Sequence, residues 1–189
     1  MASTQDFRNG FTFNWNGDVW QIVEFMHVKP GKGGAFVRTK LRNVRNGKVV
    51  DNTFRAGERV EDVRVERHNY QFLYEDDLGL HLMNTDTYEQ TTLPKDRIEG
   101  RGFIKEGGEV DLIVHAGTGE ALSVEIPRQV ELVVTQTEPG MKGDTATGAT
   151  KPATLESGAT INVPLFINEG DLVRVDTESG SYLTRVSAN

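Results

Sequence analysis

Short alternating or β-branched runs of residues recur from one end of the chain to the other, and Gly, Asn-Gly or Pro separates one run from the next. Alternation with a period of two is typical of β-strands that bury one face, and helical periodicity is scarce. The clearest runs are 11–15, 19–25, 39–44, 70–74, 109–114, 122–126, 130–134, 160–167 and 171–176. The pattern therefore predicts an all-β protein.

Two Asn-Gly pairs mark predicted hairpin turns in the first third of the chain. Asn16-Gly17 follows the run at 11–15, and Asn46-Gly47 follows the run at 39–44. Asparagine and glycine tolerate the positive φ angles that a tight hairpin turn requires. Short strands joined by such turns predict a small twisted barrel.

Charge is distributed unevenly along the chain, whose formal net charge is −7. Residues 1–64 hold eleven Lys and Arg against seven Asp and Glu, a net charge of +4. Residues 65–127 hold five against thirteen, and residues 128–189 hold five against eight, which gives −8 and −3. These shifts and Pro127 predict boundaries near 64/65 and 127/128. We expect three consecutive β modules of about 60 residues, a size that buries only about 60% of the unfolded surface.

Several classes of protein are disfavoured by what the sequence lacks. There is no cysteine, which excludes disulfides and thiolate metal sites, and the four histidines do not show the His-x-x-x-His spacing of a helical metal site. We expect no metal and no cofactor. No apolar run reaches the roughly 18 residues of a membrane span, and the first residues lack the parts of a signal peptide. We therefore expect a cytoplasmic protein without a membrane partner.

The sequence also presents no catalytic motif. The Gly-x-Ser-x-Gly elbow of serine hydrolases and the Gly-x-x-x-x-Gly-Lys-Ser/Thr phosphate loop are both absent. Asp76 and Asp77 are adjacent, but neighbouring residues of a strand face opposite ways, so an acidic surface explains them better than an acid/base pair. We expect a non-catalytic protein.

A basic segment without acidic residues stands out in the first third. Residues 26–49 contain seven Lys and Arg but no Asp or Glu. Because side chains alternate along a strand, Arg38, Lys40 and Arg42 are predicted to share one face, while the residues between them occupy the other. A basic stripe on such a backing is suited to a phosphate backbone.

The basic stripe follows a glycine-rich bend. The bend consists of Lys29, Pro30, Gly31, Lys32, Gly33 and Gly34. Pro30 fixes its φ angle and the glycines turn the backbone without Cβ clashes, so Lys32 is predicted at an accessible tip. In an arbitrary hairpin such a lysine only improves solubility. The acid-free surroundings weaken that interpretation and leave open a site for a ligand or a modifying enzyme.

Residues 135–159 form a long segment of small and polar residues with hardly a large apolar side chain. The segment is predicted to contribute little core and to behave as a mobile linker. Gly143, Asp144 and Thr145 lie within it and offer small polar groups suited to close backbone approach.

Motifs from all three thirds occur in the order found in one protein family. They are Lys-Pro-Gly-Lys-Gly-Gly-Ala-Phe-Val-Arg at 29–38, Thr-Phe-Arg-Ala-Gly-Glu at 53–58, Thr-Tyr-Glu-Gln at 87–90, Glu-Pro-Gly-Met-Lys-Gly-Asp-Thr-Ala at 138–146, and a spaced pattern from 151 to 170 that includes Val163-Pro164. Over its whole length the chain resembles the bacterial elongation factor P family.

The resemblance implies a fold and a function. It implies a KOW or SH3-like barrel at 1–64 and two OB-type barrels at 65–127 and 128–189, arranged in an L that mimics tRNA. It also implies a translation elongation factor that binds the ribosome between the P and E sites, contacts the P-site peptidyl-tRNA and stimulates peptide-bond formation, which relieves stalling at consecutive prolines. Both ribosomal subunits are expected partners, and we expect a monomer.

The same resemblance assigns roles to particular residues. Lys32 is expected near the CCA end of the P-site tRNA, with Arg38, Lys40 and Arg42 in contact with that tRNA. Gly143, Asp144 and Thr145 are expected near the E-site codon of the mRNA, and Tyr182 and Arg185 near the small subunit. In many members an enzyme extends the tip lysine, so a lysine-modifying enzyme is a further expected partner. The sequence does not determine which group, if any, is attached to Lys32.

From the residues alone a second function class stays open. A general single-stranded RNA-binding β protein could use the basic hairpin to follow any strand. Its binding would be weak and independent of sequence, and its log-log salt slope would be about −0.7 for each phosphate neutralised.

Overall fold

The computed structural model describes residues 1–98, 100–140 and 148–189 of the chain. Across these residues the regular structure consists of sixteen strands and three short 3₁₀ helices, Thr4–Asp6, Lys95–Arg97 and Arg101–Phe103. The described ranges contain no α-helix, and the predicted all-β class is confirmed. Nor does any helix within them have the length and apolar character needed to cross a membrane.

The first sheet is antiparallel and carries the basic hairpin. Its strands are β1 (Ala2–Ser3), β2 (Thr12–Trp15), β3 (Asp18–Val28), β4 (Phe36–Asn43), β5 (Val49–Arg55) and β6 (Arg59–Asp62), in the order β1-β6-β2-β3-β4-β5. Between β2 and β3, Asn16 and Gly17 take φ angles of 50° and 79°. The predicted Asn-Gly turn is therefore confirmed.

Aromatic rings fill the core of the first sheet. Phe7, Phe11, Phe13 and Phe54 form a cluster whose ring centroids lie 5.5 to 6.1 Å apart. Val37 and Leu41 of β4 pack into the same cluster and are fully buried. Burial of one such side chain contributes about 1.5 to 3 kcal/mol. The inner face of β4 is thereby fixed to the core, and its outer face remains in solvent.

The second sheet is formed by the middle of the chain. Its strands are β7 (Val65–Asp76), β8 (Gly79–Asn84), β9 (Gln90–Leu93), β10 (Glu109–His115) and β11 (Ala121–Glu125), in the order β11-β10-β7-β8-β9. In the β7–β8 turn, the carboxylate of Asp76 accepts the backbone N–H groups of Leu78 at 2.9 Å and Gly79 at 3.3 Å. Asp76 therefore has a structural explanation as a turn-forming residue.

The third sheet corrects one prediction. Its strands are β12 (Gln129–Thr137), β13 (Thr150–Leu155), β14 (Thr160–Pro164), β15 (Leu172–Asp176) and β16 (Ser181–Ser187), in the order β14-β13-β12-β15-β16. Ala153 and Leu155 lie in the core of this sheet. The prediction of a linker with little core across 135–159 is therefore wrong for β13, which is an interior strand that pairs with β14 and β12.

The described chain divides into two compact units. The first comprises Met1–Asn69, Leu93–Glu99 and Asp111–Glu125. The second comprises Tyr70–Thr92, Gly100–Val110 and Ile126–Asn189. The basic hairpin belongs to the first unit, and the predicted C-terminal site residues that the structure describes belong to the second.

Candidate functional site: the basic hairpin and its tip

The bend between β3 and β4 depends on glycine at one position. Gly33 has a φ angle of +106°, a conformation that residues with a Cβ rarely adopt. Gly31 and Gly34 have no such φ angle, and a Cβ added to either would meet nothing within 4 Å. The shape of the tip therefore requires Gly33, while the other two glycines leave open space around the bend.

Lys32 lies at the exposed tip of this bend. Lys29, Pro30, Gly31, Gly33 and Gly34 are exposed with it. No residue in the described ranges forms a hydrogen bond or an ion pair with the Lys32 amine. An amine with three donors and no internal partner is free to bind a phosphate, a ribose or a modifying group.

The strand behind the tip shows the predicted alternation. Arg38 and Arg42 are exposed and Lys40 is half-buried, whereas Val37, Thr39 and Leu41 are buried. The prediction that the three basic residues share the outer face of β4 is confirmed. Their role in binding tRNA stays a prediction.

The three basic residues of the stripe differ in their surroundings. The Lys40 Nζ lies 3.4 Å from Glu24 Oε2 on β3, and Asp51 of β5 is its register partner on the other side. Arg38 lies opposite Met26 and Thr53 instead, and its guanidinium carbon is 5.6 Å from the centroid of the Phe36 ring. Lys40 is therefore partly neutralised, and Arg38 offers its charge more openly.

The predicted C-terminal contacts divide into two groups. Gly143, Asp144 and Thr145 lie outside the described residues. Tyr182 is half-buried and packs against the core of the third sheet. The guanidinium carbon of Arg185 lies 5.2 Å from the centroid of the exposed Phe166 ring.

Asp171 holds Arg185 in place and was missed by the sequence analysis. Its side chain is only 2% exposed, and Oδ2 lies 3.6 Å from Arg185 Nη1. Its two carboxylate oxygens also accept the backbone N–H groups of Asn168 and Asn189, each at 3.0 Å. The hydrogen bond from Asn168 holds the pKa of the Asp171 carboxyl below its usual value, against the opposing effect of burial. A lone acidic residue before a strand gives no sequence signal for this role.

The described residues include no group of three or more His, Cys, Asp or Glu side chains that could hold a metal ion. The outer face of β3, β4 and β5 has a shallow depression near the basic stripe, lined among others by Met26, Arg38 and Lys40. This depression is open to solvent and carries charges of both signs. It is suited to a surface contact with a charged partner.

Three family models match the chain in succession. The Elongation factor P (EF-P) KOW-like domain matches residues 3–60, the Elongation factor P (EF-P) OB domain matches residues 65–124, and the Elongation factor P, C-terminal model matches residues 130–185. The matched ranges together cover most of the chain.

Curated relatives match over the full length. Elongation factor P of Salinibacter ruber is 63% identical over 188 residues, covering 100% of this chain and 98% of the relative. Elongation factor P of Flavobacterium psychrophilum is 56% identical over 186 residues, covering 98% and 100%. A solved structure of eukaryotic translation initiation factor 5A from Methanococcus jannaschii has a TM-score of 0.51 and 26% identity, covering 65% of this chain and 92% of that chain.

Proposed function

Because this chain belongs to the elongation factor P family, a family of translation elongation factors and not of enzymes, we propose that it binds the ribosome between the P and E sites and contacts the P-site peptidyl-tRNA. There it stimulates peptide-bond formation and relieves stalling at consecutive prolines. One observation carries this proposal above the others. The amine of Lys32 is exposed at the end of a glycine-rich bend and has no hydrogen-bond or ion-pair partner among the described residues.

The domain division supports this arrangement. We place the domain boundaries at 1–64, 65–127 and 128–189. The matched ranges of the three family models and the three separate sheets both support this division. The basic hairpin belongs to the first, KOW-like domain and not to the OB domain that follows. The net charge of this first domain is +4. The acidic remainder of the chain limits nonspecific binding to RNA.

The contribution of the factor is positional. The ribosome performs the chemistry, and Lys32 holds the end of the peptidyl-tRNA so that the attacking amine meets the ester in a productive geometry. Correct orientation can lower a reaction barrier by about 7 to 11 kcal/mol in well-aligned systems. Arg38 and Arg42 contact the phosphates of the same tRNA, and Lys40 contributes less because Glu24 partly neutralises its charge.

Two further partners follow from the same proposal. A lysine-modifying enzyme acts on Lys32, whose amine is accessible and forms no competing hydrogen bond or ion pair within the part of the chain that the structure describes. The segment at 143–145 approaches the E-site codon, and Tyr182 and Arg185 contact the small subunit. All of these contacts take place in the cytoplasm, with the factor as a monomer.

Replacement of Lys32 by alanine tests the central role. We expect Lys32→Ala to fold normally, because the side chain is exposed and forms no hydrogen bond or ion pair with the described residues, and to lose the rescue of ribosomes stalled at Pro-Pro. The assay is a reconstituted translation reaction that measures the rate of Pro-Pro bond formation. Lys48→Ala is the matched control, since Lys48 is also exposed and lies in the turn at the other end of β4.

Full activity of Lys32→Ala would refute the role of the tip. The intact mass of the protein purified from its native host tests modification separately. Peptide mapping then locates the added mass, which the proposal requires to be on Lys32. Binding to free RNA at the strength of binding to the ribosome, with the salt slope of single-strand binding, would favour the general RNA-binding function instead.

A further inference from the structure

Arg45 lies in the β4–β5 turn, at the end of the hairpin opposite to Lys32, and its position is strongly fixed. The side-chain oxygen of Asn43 accepts the backbone N–H of Arg45 at 2.8 Å, and the Asn43 amide donates to Asp18 Oδ2 at 2.8 Å. Asp18 Oδ1 in turn accepts the Nε of Arg45 at 2.6 Å. The turn, the start of β3 and the guanidinium are therefore tied into one network.

The outer edge of the same guanidinium binds a residue far away in sequence. Arg45 Nη1 and Nη2 donate to the two carboxylate oxygens of Glu120, the second at 3.0 Å, across 75 positions of the chain. This two-point contact is the strongest geometry available to an arginine and a carboxylate. Its hydrogen bonds raise the pKa of the Arg45 guanidinium and lower the pKa of the Glu120 carboxyl.

Residues near Glu120 in the chain and in space also stabilise its position and its charge. Thr118 Oγ1 accepts the backbone N–H of Glu120 at 3.3 Å. Arg97 and His115 are close enough to stabilise the Glu120 carboxylate electrostatically. The carboxylate that Arg45 binds is thus itself presented by a turn with defined hydrogen bonds.

An apolar layer also connects the base of the hairpin to the β10–β11 turn. Val19 of β3, Val63 and Leu122 of β11 form a small buried cluster, with exposures of 2%, 7% and 0%. Close by, the backbone N–H of Ala116 donates to the carbonyl of Arg64 at 2.9 Å. All of these residues belong to the first compact unit. The base of the hairpin and the β10–β11 turn are therefore in direct contact.

From these contacts we propose that Arg45 and Glu120 are positioning residues that hold the hairpin, and with it Lys32, at a fixed orientation to the β10–β11 turn. This proposal rests on the function proposed above for Lys32 and adds the residues that orient it. An isolated surface ion pair contributes little. The Arg45 side chain is only 23% exposed and contacts two carboxylates, those of Asp18 and Glu120. Its neighbour Val44 packs against the apolar cluster, so the Arg45–Glu120 pair is more than an isolated surface contact.

The geometry explains why orientation matters at the tip. The eight residues of β4 separate Arg45 from the bend, a lever of about 26 Å at about 3.3 Å per residue. Rotation of the hairpin by about 5° at its base would move the tip by about 2 Å on such a lever. Misplacement by about 1 Å can slow a reaction by about 100-fold. A fixed base is therefore needed if the tip is to position a reacting ester.

The first experiment measures orientation directly and does not depend on function. The chain has no cysteine, so Gly31→Cys and Asp96→Cys provide two unique spin-label sites in the first compact unit, at exposed positions. We expect one narrow distance distribution in this background and a broadened or shifted one when Glu120→Gln is added. Glu131→Gln is the matched control, because Glu131 accepts a 2.7 Å hydrogen bond from Arg174 within the third sheet. An unchanged distribution in Glu120→Gln would overturn the proposal.

The second experiment connects orientation to function. In the Pro-Pro translation assay, Glu120→Gln should lower the rate at saturating factor, by up to about 100-fold if the tip is displaced by about 1 Å, with little change in the half-saturating concentration. Glu120→Asp keeps the carboxylate near Arg45 and should recover part of that loss. A loss confined to the half-saturating concentration would show that the pair serves binding only, and would overturn the positioning role.

The two proposals can fail separately. Lys32→Ala should leave the distance distribution narrow while it abolishes activity. If Lys32→Ala is fully active, the proposed function of the tip fails, whatever the distances show. If Lys32→Ala is inactive and Glu120→Gln has a normal maximum rate, only the positioning role fails.

Discussion

Replacement of Asp171 by asparagine is expected to destabilise the third sheet while preserving the shape of the side chain. The carboxylate accepts two backbone N–H groups, from Asn168 and Asn189, and faces Arg185 at 3.6 Å. Asparagine keeps one acceptor oxygen but turns an NH₂ group toward one of these donors. The variant therefore loses at least one hydrogen bond to a charged acceptor in a nearly dry position.

The expected decrease in the free energy of unfolding follows from the loss of that hydrogen bond. A hydrogen bond to a charged group contributes about 1.5 to 3 kcal/mol, and a buried donor left without a partner adds a cost of similar size. Because asparagine retains part of the contact, we expect the free energy of unfolding to fall by about 1 to 3 kcal/mol. The melting temperature should fall by about 4 to 8 °C for each kcal/mol if the region unfolds as a small domain.

The effect of Asp171→Asn should depend on pH in one direction. The pKa of Asp171 is lower in the folded chain than its usual value, mainly because Asn168 donates to it. The ionised carboxylate therefore stabilises the fold fully above its unfolded pKa of about 3.9, and this contribution is lost as the pH falls through the lower folded-state pKa. The difference between wild type and variant should be largest near neutral pH and should shrink below about pH 4.

Thermal unfolding followed by circular dichroism between pH 3 and 7, with amide hydrogen exchange of β15 and β16, measures both effects. Glu178→Gln is the control, because Glu178 is an exposed ion-pair partner of Arg128 at 3.4 Å and such pairs contribute little. Equal melting temperatures of Asp171→Asn and wild type at pH 7 would contradict the reasoning. A difference that grows as the pH falls would contradict it as well.

Two further pairs of variants test the tip and the core. Gly33→Ala forces a Cβ into a φ angle of +106°, at a cost of about 1 to 2 kcal/mol, and should lower both Pro-Pro rescue and the melting temperature, whereas Gly34→Ala should leave both unchanged. Equal rescue by the two would show that the shape of the bend is unimportant. Leu82→Ala removes a side chain that is 0% exposed and should lower the free energy of unfolding in urea by about 2 to 5 kcal/mol. Leu78→Ala, at a position 78% exposed, should change it by no more than about 0.5 kcal/mol, and a similar effect of both would contradict the observed core.

Features determined by local sequence were predictable. The Asn16-Gly17 turn follows from the φ angles these two residues tolerate, and both angles are positive in the structure. The outward placement of Arg38 and Arg42 follows from the period of two in a strand that buries one face. Neither prediction needs knowledge of which strand lies beside which.

The ion pair of Lys40 could not be predicted, because it depends on a bulge. The register of β3 shifts between Ile22, which pairs with Leu41, and Glu24, which pairs with Lys40. Without the extra residue, Val23 would face Lys40 and Glu24 would face Thr39. A β-bulge leaves little trace in a single sequence. The basic stripe therefore looked more uniformly positive in the sequence than it is in the structure.

The burial of Lys151 explains why the sequence predicts a linker where the structure has β13. Lysine is rarely buried, so Lys-Pro-Ala-Thr-Leu lacks the apolar alternation that marks a strand. In the structure Lys151 is 6% exposed and its Nζ donates to the backbone carbonyl of Glu138. The carbonyl lies 13 positions away, and only the folded chain shows that a partner exists.

The contact between Arg45 and Glu120 has a consequence for hybrids assembled from different homologues. Arg45 falls in the range matched by the KOW-like family model and Glu120 in the range matched by the OB model. Consider a recombinant that takes its first domain from this chain and its second from a homologue with a neutral residue at position 120. It would keep Arg45 but lack the carboxylate that Arg45 binds. Donor segments for such exchanges are best chosen so that Arg45 and Glu120 are transferred together.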